Sequence, residues 1–227
     1  MGLDMYLNRM PRYKDATAQD VSVIQNYLDW KAAKVQGSKY ANCTLEKWCG
    51  IKWRDIPNKE YRDFYSKFYT IKYWDWDTEH KYPNSMIMEQ VGYWRKANHI
   101  HNWFVENIQD DEDDCNYHRE VTKKDLEDLL DVCETVVANS KLINGKIING
   151  YSYDGNFNKV CHYEDGQIIE DSTIAEKLLP TQSGFFFGGT EYDEWYLNDV
   201  KDTIDIIKKV LETTDFETQM IYYCSSW

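Results

Sequence analysis

The sequence predicts an α+β fold, with several amphipathic helices packed on a small, mainly antiparallel sheet that includes the terminal strands. Two long stripes at helical spacing lead there: Leu126, Leu129, Leu130, Cys133 and Val137, and Leu197, Val200, Ile204, Ile207 and Leu211. The two ends, Met1–Leu7 and Ile221–Trp227, read as strands. Between them, residues 141–169 carry Asn144-Gly145, Asn149-Gly150, Asp154-Gly155 and Asp165-Gly166, dipeptides that favour positive φ and mark hairpins.

Taken in order, Val21, Ile24, Leu28 and Val35 predict a helix over about 17–35. Asn58 is placed to cap a helix that turns Tyr61, Phe64, Tyr65 and Phe68 inward. Residues 69–82 are aromatic and partly alternating, which suits a strand or an ordered loop. Residues 91–108 fit a helical wheel with Tyr93, Trp94, Ala97, Phe104, Val105 and Ile108 on one arc; His101 lies in the middle of that arc and Asn98 at its edge. Thr122 and Asp125 open the next helix as a capping box, and one or two hairpins follow at 141–169. Phe185–Phe187 reads as a strand, and Gly188-Gly189 turns the chain into the last helix, with Thr190 and Asp193 as its capping pair. No linker divides the chain, so 1–227 is expected to form a single domain with a hairpin-rich excursion at about 141–169, the run Gln109–Asp114 being its one candidate seam.

Composition excludes several classes. Hydrophobic residues make up 42% and aromatics 15%, too many for a disordered chain. No apolar run approaches the roughly 18 residues of a membrane helix, and MGLDMYLNRM lacks the apolar core of a signal peptide. Six cysteines without a CxxC pair fit free thiols in a reducing compartment, so a cytoplasmic setting is expected. The net charge of −13 is uneven: residues 1–109 hold 16 bases and 13 acids, residues 110–227 hold 10 bases and 26 acids. An acidic face of this kind can dock on a basic protein or imitate nucleic acid, and it can equally be a solvated surface.

No established catalytic pattern occurs, so no catalytic residue is assigned, and no cofactor and no metal are expected. Asp110–Asp114 lacks the glycine and closing glutamate of a calcium loop; Asp154, Asn156, Asn158 and Asp165 come nearer, but Lys159 stands where glycine is required. His101 and Asn98 have two readings: groups that face a pocket, or paired polar groups inside the core. With Trp94, Arg95, Tyr192 and Trp195 they form the candidate ligand-binding set, suited to a small nucleotide-like molecule. The candidate partner-binding set is Asp110, Asp111, Glu112, Asp113, Asp114, Glu191 and Glu194. Lys52-Trp53-Arg54, Arg62, Lys67 and Lys72-Tyr73-Trp74 interleave bases with aromatic rings, a mixture that can stack nucleobases, although a pI near 4.8 speaks against a dedicated nucleic-acid binder.

MGLDMYL at the start, GYWRKANHIHNWF, LPTQSGFFFGGTEYDEWY and a closing SSW are together similar to a widespread set of small bacteriophage and prophage proteins. The resemblance covers the ends and internal blocks, about half of the chain, and leaves out the stretch 141–169. It implies a viral origin and action in the cytoplasm of a host bacterium, with a host or immune-system protein as partner. It implies no mechanism. The resulting expectation is an acidic binding protein that acts on a host or antiviral-defence factor without catalysis of its own. The alternatives are a nucleotide-like pocket around His101 and Trp94, and an acidic mimic of nucleic acid.

Overall fold

In chain order the computed structural model runs β1 (Asp4–Pro11), α1 (Ala18–Val35), α2 (Leu45–Cys49), a 3-10 turn (Trp53–Asp55), α3 (Lys59–Tyr65), β2 (Thr70–Tyr73), β3 (Pro83–Met86), β4 (Glu89–Arg95), α4 (Asn98–Ile108), β5 (Arg119–Val121), α5 (Lys123–Asn139), β6 (Leu142–Tyr153), β7 (Lys159–Ile169), α6 (Thr173–Leu178), α7 (Glu194–Thr213) and β8 (Gln219–Ser226). The structure describes residues 2–35, 43–73, 83–113, 119–156, 158–184 and 186–227. The fold is α+β, as the sequence predicts. Strands β4, β1, β8 and β5 line up in that order as a small antiparallel sheet, with the two terminal strands at its centre. Pairs β2–β3 and β6–β7 form separate two-stranded sheets. The chain divides into two compact units: Met1–Leu7, Val91–Thr214 and Tyr223–Trp227 make the first, Asn8–Gln90 and Asp215–Tyr222 the second. The acid run 110–114 falls inside the first.

In the first unit α5 and α7 pack on each other. Of the predicted stripes, Leu126, Leu129 and Cys133 from one helix and Leu197, Val200 and Ile207 from the other are buried, while Leu130, Val137, Ile204 and Leu211 are half-buried; Val136 and Val210, outside the predicted stripes, are buried as well. Each such side chain contributes about 1.5–3 kcal/mol when fully removed from water. Thr122 and Asp125 form the predicted reciprocal cap, Asp125 Oδ2 accepting the Thr122 N–H at 2.8 Å and Thr122 Oγ1 the Asp125 N–H at 3.2 Å. The cap of α7 differs from expectation. Asp193, not Thr190, caps it, with Oδ1 accepting the N–H groups of Trp195 and Tyr196 at 2.9 and 3.1 Å. The reason lies in β7, which holds the preceding residues extended: Ile169 N–H donates to Tyr192 O at 3.0 Å, and Ile168 bridges Asp193.

The segment 91–108 is also corrected. It is not one helix but a strand followed by a helix. Val91–Arg95 finish β4, Lys96 takes a positive φ of 62°, and α4 starts at Asn98. Pairing decides this: Lys96 N–H donates to Leu3 O at 2.8 Å, and a Cβ on Gly92 would lie 2.8 Å from Ile206 Cγ2 and 3.3 Å from Leu7 Cβ. The shift has a consequence for α4, which buries Asn98, His99, Ile100, His101, Trp103, Phe104, Val105 and Ile108. His99, which a single wheel over 91–108 puts opposite the apolar arc, is therefore inside, and Tyr93 and Trp94 leave the helix for opposite faces of β4.

The region 141–169 is a single long hairpin. Of its four turn signals only Asp154-Gly155 makes the turn, where Asp154 Oδ1 accepts the N–H groups of Asn156 and Asn158 at 2.8 and 2.9 Å. The calcium-like spacing of these residues is thereby explained as turn chemistry. Gly145 and Gly166 face each other mid-strand, and Gly150 (φ 99°) sits in the register shift between Ile148 and Tyr151. In place of the expected strand at Phe185–Phe187, Phe186 and Phe187 form a turn and bend, with Leu3 N–H donating to Phe186 O at 3.1 Å and Phe187 N–H to Gly184 O at 3.3 Å; Phe185 lies outside the described residues. The short helix α6 escaped prediction, since six residues hold too few turns for a readable stripe.

The second unit contains α1, capped by Thr17, whose Oγ1 accepts the Asp20 N–H at 3.1 Å while Asp20 Oδ2 accepts the Thr17 N–H at 2.8 Å. Asn58 caps α3 as predicted, accepting the Tyr61 N–H at 3.1 Å. Tyr13 stacks on Phe64 with ring centroids 4.2 Å apart. Of the aromatic stretch 69–82, Thr70–Tyr73 form β2, and 74–82 lie outside the described residues.

Candidate functional site

The polar residues of α4 lie within the first unit and act through neighbours far away in sequence. Asn98 lies inside and is fully engaged: its Nδ2 donates to Phe187 O at 3.1 Å and Gly189 O at 2.7 Å, and its Oδ1 accepts the Gln182 N–H at 2.9 Å. It therefore fixes the loop 182–189 against the start of α4. Three such bonds explain why an amide and not an apolar group stands there.

His101 has no exposure to solvent. Its Nδ1 shares a 2.7 Å hydrogen bond with the Tyr223 hydroxyl, and Asp113 Oδ2 lies 3.2 Å from Nε2, off the line of an N–H bond. Phe187 meets the imidazole at a right angle, 5.3 Å between centroids. Asp113 also accepts from Trp227 Nε1 at 3.2 Å. Burial holds the imidazole below its ordinary pKa, with Asp113 pulling the other way. Carboxylate, imidazole and phenol thus make a chain that ties α4 and the acid run to β8. A reactant in solution cannot reach His101 in this arrangement, so the chain works as a brace. His99 is buried beside Tyr196, 4.2 Å between rings, and burial pushes its pKa down to about 3.

The other candidates do not gather around His101. Trp94 is buried and donates through Nε1 to Thr203 Oγ1 at 2.9 Å. Tyr192 accepts the Thr181 N–H at 3.2 Å and meets Tyr196 edge-on. Arg95 is exposed, and Trp195, 61% exposed, faces outward. Among the candidate acids, Asp110 pairs with Arg119 and Asp113 serves His101. Asp110 and Asp111 occupy left-handed positions (φ 53° and 62°) that Asp tolerates better than most residues, which gives part of the run a local structural cause. Glu191 Oε2 accepts the Thr190 N–H, and Glu194 Oε1 the Gln167 N–H, at 2.9 and 3.1 Å. Asp111 and Glu112 are exposed, and Asp114 lies outside the described residues.

Two features went unnoticed in the sequence. Asp199 on α7 is pushed up to about 7 by burial and by the nearby charges of Asp202 and Asp193. The second is the outer half of the β6–β7 hairpin. Register places Tyr151 opposite Cys161 and Tyr163 opposite Ile148, so Tyr151, Tyr153 and Tyr163 share one face. The register shift after Ile148 keeps them aligned. They are 53%, 61% and 64% exposed, and Tyr151 meets Tyr153 at 84° with centroids 5.7 Å apart. Together they leave on the order of 300–400 Å² of ring surface open, the size of patch that marks interaction sites. The spacing Tyr151-x-Tyr153 was the readable signal.

Among the described residues, no group of three or more His, Cys, Asp or Glu side chains gathers to hold a metal, and the five described cysteines are free thiols. No described helix is long and apolar enough to cross a membrane. The chain matches no protein-family model, no curated protein and no solved structure.

Proposed function

We propose that this is a binding protein that engages a protein partner through the tyrosine face of the β6–β7 hairpin. The observation that carries the reading is Tyr151, Tyr153 and Tyr163 aligned and exposed on one face of a two-stranded arm. Tyrosine gives a large contact area at low entropic cost and often dominates interface energetics. The arm is also built for rigidity beyond its ladder: Lys146 pairs with Asp165 at 2.7 Å, Asn149 donates to Glu164 at 2.7 Å, and Asp154 fixes the turn. Two strands alone are marginal in water, so such reinforcement favours a presented surface. The phage resemblance supplies the setting for this proposal: a host or defence protein in a bacterial cytoplasm. The unit that carries the arm has 12 bases against 26 acids, which favours a partner with a basic surface.

The test is affinity capture from bacterial lysate, comparing the wild type with a Tyr151→Ser/Tyr153→Ser/Tyr163→Ser variant. A protein retained by the wild type and lost by the folded variant is the expected result. Equal capture by both, or none by either, contradicts the proposal.

A further inference from the structure

The second unit carries a feature that protein binding by the hairpin does not use. Trp53 is 63% exposed although it is the largest side-chain type, and its position is fixed. It opens the 3-10 turn, where Asp55 N–H donates to Lys52 O at 2.9 Å, Ile56 N–H to Trp53 O at 3.5 Å, and Asp55 Oδ2 accepts the Lys52 N–H at 3.3 Å. Beneath it, Trp30 and Tyr27 brace the indole edge-on, with centroids 5.6 and 6.2 Å away and interplanar angles of 80° and 75°. The bracing rings are held in turn: Trp30 Nε1 donates to Cys43 O at 2.8 Å.

Cations gather at the same place. Lys52 and Arg54 flank Trp53 and are exposed. Lys31 Nζ and Arg62 Cζ each stand 5.4 Å from the centre of the Tyr27 ring. Arg62 Nε is buried with no hydrogen-bond partner among the described residues. Phosphate is the anion that guanidinium and ammonium groups pair with best, and Lys31, Lys52 and Arg54 are exposed to receive it. Asp55, in the same turn, is partly spent on the turn and on Arg54, 3.7 Å away, and Asp63, close enough to feel the charge of Arg62, is paired with Lys59.

We propose that Trp53, with Lys31, Lys52, Arg54 and Arg62, forms a subsite for a nucleotide moiety, the base stacking on the indole and the phosphate pairing with the cations. The cations disfavour a quaternary ammonium ligand, which would otherwise suit a tryptophan face. A planar base joined to an anion satisfies both halves of the site, and stacking tolerates any base. The acidic pI is no obstacle, because the acid lies elsewhere: the second unit has 14 bases and 13 acids. The same chemistry is offered by a free nucleotide and by a single strand of nucleic acid.

Fluorescence anisotropy of the full chain distinguishes these sources, with labelled mononucleotides in one arm and labelled oligo-dT and oligo-U in the other. Binding to strands alone assigns the subsite to single-stranded nucleic acid; binding to both assigns it to the nucleotide itself. Trp53→Ala should weaken binding about tenfold or more, and Trp53→Phe should restore part of it. The double variant Lys52→Ala/Arg54→Ala should weaken binding and flatten its salt dependence. Trp53 is exposed, so circular dichroism should show both sets of variants folded. No binding in either arm, or binding that Trp53→Ala leaves unchanged, overturns the proposal.

Discussion

Acidification should unfold the first unit through His99, and the size of the effect follows from burial. The imidazole is inside, its Nε2 has no hydrogen-bond partner among the described residues, and its pKa is about 3 against an ordinary 6.5. The folded value lies below the unfolded one. Between the two, the unfolded chain takes up a proton that the folded chain refuses, so the stability from a neutral His99 is complete above 6.5 and is lost as pH falls toward 3. Each pH unit in that window is worth about 1.4 kcal/mol, so by about pH 4.5 the loss reaches about 3 kcal/mol. The perturbation is His99→Leu, which keeps an apolar contact with Tyr196 and removes the titrating group. Urea denaturation followed by circular dichroism at several pH values between 7 and 4.5 gives both stabilities. Carboxylates common to the two proteins cancel in the difference. The wild type should lose stability relative to His99→Leu by about 1.4 kcal/mol per unit below pH 6. Parallel pH curves would refute the buried, neutral assignment of His99.

Two further predictions concern the loop and the cap. Asn98→Ala removes three hydrogen bonds and strands the carbonyls of Phe187 and Gly189 and the N–H of Gln182, so it should cost about 2–4 kcal/mol by denaturant titration; a cost below about 1 kcal/mol would show that water replaces the amide. Asp193→Ala should destabilise by about 1 kcal/mol and Thr190→Ala by much less; the reverse order in thermal melts would return the cap to Thr190.

The long helices were legible because each buries one stripe. α5 and α7 repeat their apolar residues over four turns or more, and Thr122 and Asn58 announce the starts of α5 and α3 by their own chemistry. The stretch 91–108 misled for a physical reason: the aromatic residues of β4, of which Trp94 is buried and Tyr93 exposed, happen to extend the apolar arc of the largely buried helix that follows, and the boundary at Lys96 depends on pairing with Leu3, 93 positions earlier. The paired glycines 145 and 166 looked like turns because Asn-Gly and Asp-Gly carry no mark of a cross-strand partner. Of the candidate site, the sequence picked out His101 and Asn98 as buried polar groups needing partners. It did not supply the partners, since Tyr223 lies 122 residues from His101 and the loop bound by Asn98 lies more than 80 residues away. The tyrosine face was hidden for the opposite reason. Its residues are near in sequence, but their alignment depends on a register shift that only the paired strands reveal.

The tyrosine face of the β6–β7 hairpin is the surface proposed to meet a partner. Its most direct test is the amount of a captured protein retained by wild type and by the Tyr151→Ser/Tyr153→Ser/Tyr163→Ser variant, with both shown to be folded. Loss of three exposed aromatic contacts should reduce retention about tenfold or more. Equal retention would place the interface elsewhere and rule out the hairpin as the binding surface.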